Sequence, residues 1–189
     1  MKKILVMCLV ACFAVVGISG VASAATKAGD LYLDGGLSFN AATIEVESED
    51  FDASMFMANV GVEKFFTDSF ATEFGILGMA ANIDISGDDI SLTGIGLQVK
   101  PNWHFNTASN VVPYVGLNLG YAWLGTDVEG EDADGNAFIY GAQAGIKQFI
   151  KENVCLQYEV SYTMGTLEME DTDIDIGDLR IGVGIGYKF

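Results

Sequence analysis

The chain's final stretch, Asp178 to Phe189, alternates bulk with near-emptiness at a period of two. Leu179, Ile181, Val183, Ile185, Tyr187 and Phe189 share one parity, while Arg180, Gly182, Gly184, Gly186 and Lys188 share the other. Such a period means a β-strand, because successive side chains of a strand leave opposite faces. A strand of a soluble sandwich turns its bulk inward and sends long polar groups outward. Here one face is continuously apolar and ends in two aromatics; the other has almost no volume apart from two cations. That combination suits a greasy surround and a cramped interior, the requirement of a small transmembrane barrel.

The same alternation recurs along the chain. No segment beyond the N-terminal region holds 18 uninterrupted apolar residues, which excludes spanning helices. Strand-length alternating segments are read at 30–42, 54–66, 70–83, 91–105, 112–126, 137–149, 154–166 and 177–189. The connections at 67–69, 106–111 and 150–153 are short, whereas those at 43–53, 84–90, 127–136 and 167–176 are mostly longer and acidic. Short periplasmic turns and longer outer loops are the habit of outer-membrane barrels. The expected fold is all-β: a single eight-stranded antiparallel up-and-down transmembrane β-barrel over 25–189, with both termini on the periplasmic side.

Parity assigns the faces. The lipid-facing set includes Leu33, Leu37, Phe39, Phe56, Val60, Phe74, Ile76, Leu97, Leu117, Leu119 and Val160. Aromatics gather towards strand ends: Tyr121, Trp123, Phe138 and Tyr140 at one level, Phe66, Trp103, Phe105, Tyr187 and Phe189 at the other. Rings with a polar edge favour the membrane–water boundary, which gives two girdles. The opposite parity carries glycines, amides and eight charged residues: the acids Asp34, Glu63, Glu73 and Glu159, and the cations Lys100, Lys147, Arg180 and Lys188. Unpaired charges in a narrow interior are costly, so these are expected to pair into a network. An eight-stranded barrel is only wide enough for side chains to fill, so the network plugs the bore. A gated ion path through the same groups is the sharper alternative.

The formal net charge of -17 argues against nucleic acid or anionic headgroups as direct partners of the exposed acids. Most of the 26 acids fall in the four outer connections, where they make a solvated, mutually repelling rim. Carboxylates are also calcium ligands that could bridge the rim to lipopolysaccharide phosphates. Asp132-Ala133-Asp134-Gly135 resembles part of an EF-hand loop, but the positions matching its first and last ligands are Gly130 and Gly141. Asp132 and Asp134 are thus weak calcium candidates, and no other cofactor is indicated. His104 is the only histidine. No His–Ser pair on a lipid-facing strand and no His–Asp cluster near the outer rim accompanies it, so no enzyme is expected.

At the N-terminus, Lys2 and Lys3 precede an apolar run and then Ala22-Ser23-Ala24. This reads as a secretory signal peptide over 1–24, removed on export. Cys8 and Cys12 would leave with it, and the remaining Cys155 cannot form an internal disulfide.

Two stretches carry a family resemblance. Tyr187-Lys188-Phe189 resembles the C-terminal aromatic signal by which outer-membrane barrels are recognised for assembly. The hairpin Gly96-Leu97-Gln98-Val99-Lys100-Pro101-Asn102-Trp103-His104-Phe105, followed by Val112-Pro113-Tyr114-Val115-Gly116-Leu117-Asn118-Leu119-Gly120-Tyr121, is similar to small barrels of the OmpA/OmpX/OmpW type. The resemblance implies a bacterial outer-membrane location, contact with membrane lipids and lipopolysaccharide, assembly by the barrel-assembly machinery through Tyr187 and Phe189, and a monomer. The expected role is structural or surface-interacting; the alternative is a narrow OmpW-like channel for small hydrophobic molecules.

Overall fold

The computed structural model describes residues 26–46, 49–85, 88–105, 107–128, 131–169 and 172–189. Eight strands follow one another: β1 (Leu31–Val46), β2 (Glu49–Phe65), β3 (Phe70–Ile85), β4 (Asp88–His104), β5 (Val111–Val128), β6 (Glu131–Lys151), β7 (Val154–Met169) and β8 (Thr172–Lys188). Each pairs antiparallel with its neighbours in sequence, and β1 pairs with β8, so the sheet closes into a barrel without edges. An even strand number returns the chain to the end where it began.

Exposure follows parity. Leu33, Phe39, Phe56, Phe74, Ile95, Leu117, Phe138 and Val183 are exposed on the outer surface, with Leu117 retaining 56% of its accessible area. Tyr121 and Trp123 meet edge-on at 5.2 Å towards one end, and Tyr187 and Phe189 do so at 5.4 Å at the other. The inward parity is crowded. A Cβ on Gly61 would come within 2.9 Å of both Glu73 Oε1 and the Phe74 carbonyl. The β4–β5 ladder passes over Lys100 and Pro101, because proline has no N–H to donate.

The acidic connections differ from their expected form as longer loops. Strand pairing runs on through them, to Val46↔Glu49, Ile85↔Asp88, Val128↔Glu131 and Met169↔Thr172, leaving only 47–48, 86–87, 129–130 and 170–171 between the strands. The physical reason is visible in the sequence. Stretches such as Ala42-Thr43-Ile44-Glu45-Val46 and Asp173-Ile174-Asp175-Ile176 keep the period of two, and extended pairing gives their backbone partners that an open loop would leave to water. At the opposite end, residues 66–69, 105–110 and 152–153 lie between strands, so the length contrast expected between the two ends is not present.

Ahead of β1, residues 26–30 cross the end that carries the termini. The Thr26 amide donates to the Thr107 carbonyl at 3.1 Å and its hydroxyl to the Asp68 carbonyl at 2.9 Å, tying two connections together. Gly29, at φ +96°, supplies the left-handed turn that leads into β1.

Leu117 lies midway along β5 with its side chain outside. Leu117→Arg is expected to lower folding stability by about 2–4 kcal/mol, read from denaturant titration in lipid bilayers. A change below about 0.5 kcal/mol would mean that this face does not meet hydrocarbon.

Candidate functional site

The bore is layered, and the layers come from where inward-parity residues stop being polar. At the terminal end Tyr32, Phe65, Ala71, Val112, Phe149 and Cys155 form one buried apolar cluster. Tyr32 packs on Phe65 at 5.6 Å and edge-on to Phe149 at 6.3 Å between ring centroids. Towards the far end Met55, Met57, Leu77, Ala81, Leu92, Ala122, Leu124 and Ala137 form a second cluster. The charged belt lies between them. The sequence reading missed both apolar layers, although the same parity rule, carried along each strand from Glu63 to Phe65 and to Met57 and Met55, finds them.

Within the belt, Lys147 and Glu63 form a direct ion pair with both side chains almost wholly buried. The Lys147 ammonium also lies 5.3 Å from the Tyr32 ring centroid and 5.8 Å from that of Phe65, a cation–π arrangement at the top of the aromatic layer. Glu63 accepts from Asn102 Nδ2 at 3.4 Å, and Asn102 Oδ1 accepts from Gln143 Nε2 at 2.7 Å. Lys100 stands between two acids, 3.8 Å from Glu73 and 3.5 Å from Glu159. Glu159 accepts from the Tyr114 hydroxyl at 2.9 Å, and Glu73 from Gln98 Nε2 at 3.4 Å.

The remaining charged positions pair outside the expected set. Asp34 accepts from Gln157 rather than from a cation within ion-pair distance. Lys188 reaches Asp30 at the mouth, 2.8 Å away. Arg180 Nε donates to Asp178 at 2.8 Å. Asp178 opens the strand expected at 177–189 but is not among the eight charges expected inside. It lies inside and buried, because β8 begins at Thr172 and gives Asp178 the inward parity of Arg180.

His104 is buried against Phe65 at 4.7 Å and Tyr114 at 5.4 Å between ring centroids, with Nε2 3.7 Å from Glu63. It is a wedge between the aromatic layer and the belt. The side chains of Asp132 and Asp134 lie outside the described residues. Among the described residues no three His, Cys, Asp or Glu side chains converge as metal ligands.

Between belt and far cluster lies a cavity of about 60 Å³, lined by Asp34, Ser38, Asn59, Asn118, Gln143 and Arg180 among others. A second, larger hollow of about 510 Å³ indents the outer wall where the small Gly35 and Ala58 leave space between Tyr158 and Ile185.

The profile of the outer membrane protein β-barrel domain matches residues 8–189. The chain belongs to this family. It is a bacterial outer-membrane protein, and its aromatic girdles and apolar outer face are those of a membrane-embedded barrel. Among solved structures it is similar to Neisserial surface protein A, at 18% identity, covering 84% of this chain and 97% of that one, with a TM-score of 0.62. It is also similar to OprG of Pseudomonas aeruginosa, at 16% identity, 89% and 99% coverage and a TM-score of 0.58. The attachment invasion locus protein Ail of Yersinia pestis gives 15% identity, 86% and 99% coverage and a TM-score of 0.57. Among curated proteins, no sequence match is found.

In this outer-membrane barrel, Lys100→Met leaves Glu73 and Glu159 facing each other without their shared cation. The expected loss is about 3–5 kcal/mol in a denaturant titration. Glu168→Gln, on an exposed side chain, is expected to change stability by less than about 0.5 kcal/mol. Equal effects would separate Lys100 from both acids. Gly61→Ala presses a methyl against a backbone carbonyl and is expected to cost about 1–3 kcal/mol in the same assay.

Proposed function

We propose that this barrel is a non-enzymatic outer-membrane protein with a structural or surface-interaction role, its bore stopped rather than open. One observation carries the reading. Side chains from six strands, Tyr32, Phe65, Ala71, Val112, Phe149 and Cys155, fill the terminal end with carbon at 0–2% exposure, directly beneath the Lys147–Glu63 pair. A small barrel has room only for its own side chains at that level. An ion crossing it would leave water for an apolar layer, which is strongly unfavourable. The segment 26–30, strapped over the same end by Thr26, adds a further cover.

The remaining roles follow from the same surfaces. Membrane lipid is the partner of the outer face, and lipopolysaccharide the neighbour of the acidic end, with weak calcium bridging at Asp132 and Asp134 as the way like charges could approach. Tyr187 and Phe189, exposed at the end of β8, are the aromatic mark for the assembly machinery. A lipid-facing surface of apolar side chains all round the barrel fits a monomer.

A second reading, a narrow channel for small hydrophobic molecules, is favoured by the far layer of the bore. Met55, Met57, Leu77, Leu92 and Leu124 offer a soft apolar surface, and thioethers repack easily around a guest.

Conductance in planar bilayers tests the first reading. The wild-type barrel is expected to show no steady openings, and the Phe65→Ala/Phe149→Ala double variant to admit ion flow. Reproducible wild-type openings would sink the stopped bore. Uptake of a small apolar solute by barrel-containing liposomes, faster than by protein-free ones, would favour the channel.

A further inference from the structure

Charges facing the bore do not balance. Among the described residues, Asp34, Glu63, Glu73, Glu159 and Asp178 face only Lys100, Lys147 and Arg180, while Lys188 and Asp30 neutralise each other at the mouth. Carboxylates remain in excess even when His104 is given a proton. Excess charge in a poorly solvated interior requires a counter-charge.

The mid-bore cavity is where one would fit. Its volume of about 60 Å³ exceeds the ~10–15 Å³ that a single water occupies on the same scale. Two of its lining residues carry a buried oxygen with no hydrogen-bond partner, Asp34 Oδ2 and Gln143 Oε1, and these residues are only 2% and 4% exposed. Each side chain is held by its other end: Asp34 Oδ1 accepts from Gln157, and Gln143 Nε2 donates to Asn102. The free oxygens are therefore fixed in place. Ser38, Asn59, Asn118 and Ser161 contribute further polar lining. Lys100 and Arg180 also border the space, but each is already held against carboxylates.

Oxygen donors without thiolate or imidazole select hard cations. Calcium draws on several carboxylates within a shell of about 6–8 oxygens, whereas here one carboxylate oxygen is free among neutral donors. We propose that this cavity binds a monovalent alkali cation, sodium or potassium, anchored by Asp34 Oδ2 and Gln143 Oε1. The inference does not depend on a stopped bore, which conductance tests separately.

The test is thermal unfolding of the detergent-folded barrel in sodium, potassium or choline chloride at one ionic strength and mildly alkaline pH. Sodium or potassium is expected to raise the midpoint over choline by about 3 °C or more, saturating with concentration. Asp34→Asn is expected to abolish the difference, and Gln143→Leu to reduce it. Should Asp34→Asn fail to fold, sodium NMR linewidths decide: broadening by the wild-type barrel, diminished by Gln143→Leu, supports the site. Equal midpoints in the three salts would overturn it, since protons would then hold the excess carboxylates. A salt effect equally large in both variants would overturn it too, by placing the cation elsewhere.

Discussion

Hydrocarbon offers no partner to a backbone amide, and the rest of this architecture depends on that fact. A sheet inside a bilayer must close so that every N–H and C=O meets another strand. The β1–β8 seam does this with a ladder from Tyr32↔Lys188 to Ile44↔Ile176, as continuous as any other in the barrel. Closure at eight strands fixes the width, and the width dictates the side chains. Bulk is excluded from the inner face, which explains why Gly182, Gly184 and Gly186 face inward between outward Ile181, Val183, Ile185 and Tyr187. Amphipathic order is thus inverted relative to a soluble barrel, with polar groups inside and apolar ones outside.

Inside, the barrel replaces water with its own dipoles and charges. A buried ion pair gains little net stability over well-packed carbon, but removing one partner is severe. The belt spreads that risk. Lys100 serves two acids, and Glu63 is met by Lys147 and Asn102, with His104 beside them. Carbon layers above and below exclude solvent, which strengthens these electrostatic contacts and fixes the register of the strands that carry them. The interior is a stack: aromatic floor, charged belt, polar-lined cavity, aliphatic and thioether ceiling.

Much of this was legible before any coordinates. Parity alone gave both faces and the barrel class, because a one-residue error in register would turn Leu117 inward and Asn118 outward. Asp132 and Asp134 could not be judged in that way, since a turn dipeptide and a ligand loop share the same residues. Two other things escaped for physical reasons. Acidic composition points to loop, although Ala42, Ile44 and Val46 still alternate with Thr43 and Glu45, and pairing of the backbone outweighs the polarity of the side chains. Asp178, at the head of the last strand, was not counted with the inward charges, and with it went the partner of Arg180. Contacts across the bore, such as Tyr114 with Glu159, join residues whose levels depend on strand tilt, which no single strand records.

Cys155 is the free thiol of the described residues, and it sits buried in the aromatic floor. The side chains that shield it from reagent are the same ones on which the proposed stopped bore rests. Its accessibility therefore reports the transient opening of that floor: the sulfur can be alkylated no faster than the aromatic rings part. The barrel carries an intrinsic clock for its own breathing, set at one of the two apolar levels that solvent would have to pass.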